Sequence, residues 1–308
     1  MAIYFSGRMT KHFIFLITFF SIILNSAQSP IPLVHHTTNW FGPNANPVPD
    51  FTDATIPQKT TLTVLGDVYF GHGDNTQSIN LKIEAPLIAS KVSVKVWMVP
   101  FENYKVSDEV FQKRNMQGEK SGTASGDFYV QTRISLASER KYRPAIILNA
   151  TLKTASGTGF KDRRFFNTAG YYFDTEIGKS LHLHSPFLKE IRLIGNFGFF
   201  SWDVQTPGLN VQDDAIMYGA KLILRNDKIG WENTYSGYSG WLRRVPDYGD
   251  KPVVFASRFN YYHKSFTAFL QYQNGIRYFP YDQIRIGASI PLDFLTPNFF
   301  KKDEIPRQ

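Results

Sequence analysis

The chain has no cysteine among its 308 residues. That excludes a disulfide framework, a thiolate metal site and a lipid anchor on cysteine. Beyond its first 27 residues it also lacks any apolar run near the roughly 20 residues that a membrane-crossing helix needs. No segment after residue 60 carries a helical period. Acidic side chains are in deficit: 26 Asp and Glu stand against 34 Lys and Arg, a net charge of +8. Removing Arg8 and Lys11 with the leader leaves +6. A basic balance raises nucleic acid as a partner. Here the charges alternate singly along the chain and do not cluster among exposed aromatics, so no nucleic-acid partner is expected.

What is present begins with an export signal. Arg8, Lys11 and His12 form a basic segment, Phe13–Leu24 an apolar one, and Ser26-Ala27 a small-residue cleavage site. Residues 1–27 are therefore expected to be a cleaved signal peptide. Residues 28–58 carry Pro30, Pro32, Pro43, Pro47, Pro49 and Pro57 with Asn39, Asn44 and Asn46. They form an irregular arm with neither helix nor strand period. The arm could hang free of the body or enter it; composition does not choose.

From Thr60 onward the chain alternates apolar and polar residues with period two. The segment Ser90–Pro100 is the clearest case: Val92, Val94, Val96 and Met98 alternate with Lys91, Ser93, Lys95 and Trp97. The same pattern predicts strands over 61–69, 79–84, 127–136, 142–154, 170–183, 191–202, 215–225, 229–241, 253–262, 265–273 and 283–294. That makes about twelve strands. Connections after odd-numbered strands are generally longer than those after even-numbered ones, the asymmetry of a transmembrane barrel.

One face of these strands holds Lys82, Lys91, Lys95, Arg133, Arg143, Lys153, Arg192, Lys221, Arg225, Arg258 and Arg285. Glu84, Asp127, Asp174, Glu176, Glu232 and Asp293 join them, eleven basic residues against six acidic. The other face is aliphatic and aromatic. Aromatic residues make up 16% of the chain, too many to enclose in a twelve-strand interior. Turned outward they suit lipid and its interfaces. The charged face then lines the lumen. Lys179 falls on the apolar face of its strand and is expected to snorkel at the membrane boundary or to mark a bulge.

With its leader, dyad repeat, loop parity and closing strand Ile284–Phe294, the chain resembles the mid-sized, roughly twelve-stranded channels among Gram-negative outer-membrane β-barrel proteins. The resemblance implies an all-β fold: a single closed antiparallel transmembrane barrel of up-and-down topology over residues 59–295, in the bacterial outer membrane. It also implies outer-membrane lipid, lipopolysaccharide and the barrel-insertion machinery as partners. The chain departs from the pattern in a tail, residues 296–308, beyond the terminal strand.

Chemistry beyond this is sparse. His72, beside Asp74 and Asn75 in the first turn, is the one histidine placed for a hydrolase at the outer leaflet. A solvated turn histidine is the plainer reading. His182 and His184 sit at the short turn that ends their strand, and no metal site is expected of them. No catalytic residue, metal site or cofactor is expected. The basic loop Lys161–Arg164 is expected to be solvated, or to meet lipopolysaccharide phosphates. The basic lumen predicts a passive channel for small, anionic solutes. A closed structural or adhesive barrel and a lipid hydrolase remain alternatives.

Overall fold

A computed structural model describes residues 38–88, 90–166, 168–203, 213–241 and 249–297. The leader, the end of the tail, and most of the expected loops 205–213 and 243–251 lie outside these residues. Among the described residues thirteen strands form one sheet. They are β1 (Thr61–Phe70), β2 (Asp74–Ile88), β3 (Val92–Val106), β4 (Ser121–Ala124), β5 (Tyr129–Ala137), β6 (Ala145–Lys153) and β7 (Gly170–His182). β8 (Glu190–Ser201), β9 (Asp214–Arg225), β10 (Ile229–Gly240), β11 (Val253–Tyr262), β12 (Thr267–Arg277) and β13 (Asp282–Pro291) complete it.

Each strand pairs antiparallel with its neighbours, β1 pairs with β13, and β2 with β3 closes the ring. β4 is a short flap hydrogen-bonded only to the upper part of β3. Without it the barrel has twelve staves, and closure leaves no unpaired edge facing lipid.

Alternation sets the two faces. On β1, Leu65, Asp67 and Tyr69 are buried inside, while Val64 and Val68 are exposed outside. Registered partners share a face, so Val96 lies with Ile83 and Val130 on the outer wall, and Lys95 lies with Glu84 and Gln131 on the inner one. Leu152, Phe173, Leu193, Phe197, Leu270 and Ile286 extend the outer band, each at least half exposed. Such a belt of large apolar side chains is a lipid-facing surface. Lys179 stands on that face near the strand end and reaches back to Glu139 at 3.2 Å, which keeps its ammonium at the boundary.

Two features depart from the sequence expectation. Strands β2 and β3 run on to Asp74 and Val106, well into the expected loop after residue 101. Between the pairs Ile79–Phe101 and Leu81–Met98, Val99 and Pro100 together oppose Asn80, a β-bulge. Proline donates no amide, so a bulge accommodates it. The bulge resets the parity of β3: Glu102, Tyr104 and Val106 are buried inward above it. The rest of that connection holds a short helix, α1 (Asp108–Lys113), capped by Ser107, whose Oγ accepts from the Val110 amide at 3.3 Å.

Connections also sort by end. One end has only short turns: 89–91, 138–144, 183–189, 226–228 and 263–266. The other, called here the loop end, carries the insertion 107–128 and the connections 154–169, 202–213 and 241–252. Two of its connections, 71–73 and 278–281, are short, because β1, β2, β12 and β13 extend further than their alternation suggested.

Candidate functional site: the barrel lumen

The lumen is not empty. The arm, residues 38–59, enters at the loop end, passes through the interior and leaves at the turn end into β1. Thr38 donates to the Tyr278 carbonyl and the Gly42 amide to that of Arg163 at 2.7 Å, both in loop-end connections. At the other end Gln58 donates to Ser90 at 2.7 Å, and Lys59 pairs with Asp293 at 2.8 Å. The prolines deny the arm a helix or a sheet ladder: residues 38–46 run in turns and bends and 47–59 are irregular, which leaves amides such as those of Thr52 and Ala54 free for the wall.

Three zones follow along the axis. Beneath the loops lies a buried knot of charge. Arg164 Nε donates to Glu102 at 2.7 Å and Arg164 Nη1 to Asp74 at 3.0 Å. Arg114 donates to Asp74 and to the Tyr281 hydroxyl, each at 2.5 Å. Two cations meet two anions, so the knot is neutral. Burial alone would lower the Arg164 pKa, but Glu102 and Asp74 more than offset it, so the guanidinium stays charged. The arm is tied in: Asn44 donates to Glu102 at 2.6 Å, and the Tyr69 hydroxyl to Asn44 at 3.1 Å. Gly42 is pressed on this knot, and a Cβ there would lie 2.4 Å from Arg164 Cζ. Arg163 covers the rings of Trp40 and Phe41. The expectation of a solvated loop at Lys161–Arg164 is thus corrected for Arg164, while Lys161 is exposed. Arg164 is fully buried, because its loop folds inward over the arm.

Midway, the arm lies against the wall formed by β5–β9. Glu176 accepts the amides of Thr52 and Ala54 at 3.0 and 3.1 Å. Arg133 bridges Glu84 at 2.6 Å and Glu176 at 3.3 Å, and Asn149 holds Asp174 and Glu176 together. Lys221 donates to the Phe51 carbonyl. Phe51, Ala54 and Ile56 pack on Ala145, Ile147, Ile194 and Ile223 of the wall. Gly219 makes room for the Phe51 ring, since a Cβ there would sit 2.4 Å from it. Lower still, Arg192 donates to the Asp53 carbonyl at 2.7 Å and to Glu139 at 2.5 Å, and Arg225 pairs with Glu190 at 2.6 Å. Burial would raise the Glu139 pKa. The Ser180 amide, Arg192 and Lys179 outweigh it and hold the carboxyl down at about 2.

The opposite wall, β1–β3 with β10–β13, is left uncovered. Between it and the arm lie a cavity of about 130 Å³ towards the loop end and one of about 180 Å³ towards the turn end. Lys82, Lys95, Arg258 and the arm's Asp50 line both. Arg285 is held by Asp67 at 2.5 and 3.0 Å, and Glu232 accepts from Asn260 at 2.7 Å. Arg258 lies over the Phe269 ring and donates to Gln271. Lys95 lies over Trp97, which stacks on Tyr129 at 4.9 Å. Lys82, Lys95 and Arg258 have no carboxylate within ion-pair distance among the described residues.

Of the residues assigned to the lumen by alternation, most stand on its inner wall. Lys153 and Asp127 meet each other there, 3.1 Å apart, near the loop end. Three do not. Lys91 and Arg143 lie in turns, just before β3 and β6 begin, and Arg143 donates to the Ser138 carbonyl. Asp293 lies in a single helical turn after β13 and is two-thirds exposed. In each case the strand stops short of the residue that its alternation included. His72 is exposed in the β1–β2 turn with φ of 50°. The sequence reading missed Asp67, whose alternation with Leu65 and Tyr69 was legible, and the arm's Asp50 and Asp53, which no period marks.

No family model and no curated protein sequence matches the chain. Among solved structures it is similar to the NanC porin, with a TM-score of 0.51 and 10% identity over 75% of this chain and 100% of that one. It is similar also to an outer membrane channel from Pseudomonas putida F1, with a TM-score of 0.50 and 10% identity over 79% of this chain and 100% of that one. Both likenesses are of fold, and they agree with the pairing of the staves: this is a closed, twelve-stave antiparallel barrel of the kind found in outer-membrane channels.

Proposed function

We propose that this protein is an outer-membrane channel that passes small anionic solutes along the uncovered half of its lumen. The observation that carries this reading is the split in charge pairing. On the arm-covered wall the cations meet carboxylates or arm carbonyls. On the uncovered wall Lys82, Lys95 and Arg258 face a cavity without ion-pair partners. Unneutralised cations in a narrow aqueous path give it a positive potential and favour anions. The loop end would face outward and the turn end the periplasm, as in other outer-membrane barrels.

Purified protein in a planar bilayer tests this. Unit currents are expected, with a reversal potential in a potassium chloride gradient that reports anion preference. Currents with cation preference would sink the anionic assignment. A second reading is a closed barrel, favoured by the buried knot of Asp74, Glu102, Arg114 and Arg164 beneath the loops. It predicts no unit currents at any voltage.

A further inference from the structure

We infer that Asp50 is a tethered counter-ion, placed by the arm where the carboxylate of a small organic acid binds. The inference rests on the channel reading for the solute's route, but its site stands on geometry of its own. Asp50 is half exposed to the cavity, and its nearest cation, Lys221, stands 3.9 Å away. Lys221 is already committed to the Phe51 carbonyl. Lys82, Arg258 and Lys95 face Asp50 from three different strands and make no ion pair with it or with any other described carboxylate.

Three cations around one loosely held carboxylate leave an excess of positive charge. Cavity space lies on both sides of it, so a second anion has room to approach. The cations converge singly, as two ammonium groups and one guanidinium stacked on Phe269, and not as a forked pair. Such point charges suit a carboxylate that arrives beside or in place of the tethered one. Each solute carboxylate that enters must compete with Asp50, whose local concentration is fixed by the arm. The arm is itself anchored above and below this position, at Glu102 and at Glu176. Asp50 can therefore yield its place without release of the arm.

Calorimetric titration of the full chain in detergent with sodium succinate tests the site, with inorganic phosphate as the contrasting anion. Wild type and Asp50→Glu should bind succinate weakly and alike. Asp50→Asn should bind it about tenfold more tightly, since one neighbouring negative charge is gone. Adding Lys95→Gln to Asp50→Asn should abolish the gain. Equal affinity in wild type and Asp50→Asn overturns the inference, as does a gain for phosphate that succinate does not share. The bilayer measurement separates this from the channel reading. A protein that gains succinate affinity without conducting keeps the site and loses the channel. One that conducts with unchanged affinity does the reverse.

Discussion

At the residue scale, the interior of this barrel is held by ion pairs whose members have few substitutes. Arg133 is 1% exposed and bridges Glu84 and Glu176. Replacing it by Met leaves two carboxylates facing each other without their cation, a loss of about 3–5 kcal/mol by the usual cost of breaking a buried pair. Urea unfolding in detergent should show it. Glu139 gives a pH dependence. Its folded-state pKa, about 2, lies below the unfolded value of about 4.3. Its contribution is therefore complete above the unfolded value and is lost as pH falls towards the folded one. The difference in melting temperature between wild type and Glu139→Gln should stay constant above about pH 5 and shrink below about pH 4. Gln at this position cannot satisfy Arg192, Lys179 and the Ser180 amide together as the carboxylate does.

At the scale of elements, the staves were legible and the arm was not. Twelve segments of alternating residues gave twelve staves, because in a barrel the two faces meet different solvents and the side-chain period is two. Ends were less legible. The bulge at Pro100 reverses parity without breaking the strand, and Lys91 and Arg143 continue an alternation that the backbone has already abandoned. The arm's course could not be read, because its partners, Glu102, Glu176, Arg192 and Lys221, are spread over four strands and no local period points to them. Its place in the lumen can be trapped chemically. The chain has no cysteine, and a Cβ at Gly178 would lie 2.9 Å from that of Ala54. Ala54→Cys with Gly178→Cys should oxidise to a single bridge across a small backbone adjustment, and its loop should speed migration on a denaturing gel without reductant. Phe51→Ala, which empties the arm's main apolar seat at Gly219, should cost about 3–5 kcal/mol and make the arm accessible to added protease.

At the scale of the whole molecule, the outer belt and the inner wall respond oppositely to charge. Ile286 is 63% exposed on the middle of β13, beside Leu270 of β12. Ile286→Arg should destabilise the folded barrel by about 2–4 kcal/mol, the cost of a cation at the bilayer midplane. Gln273→Arg, on the wall of the cavity, should be tolerated. Gel mobility before and after boiling reads both, since a closed barrel resists detergent until heated.

An even number of staves normally returns a chain to the side from which it started. Here the arm adds one further passage in the opposite sense, so Thr38 and Thr296 stand at opposite ends of the barrel. That has a consequence for assembly. The arm continues into β1 at Thr60, and β1 is one side of the seam that β13 closes. A completed ring could receive the arm only by drawing it lengthwise past Arg133 and Lys221. The simpler order has the arm laid along β5–β9 while the seam is still open, with β1 and β13 then closing over it. On that order the contents of the barrel are chosen before its last hydrogen bonds form.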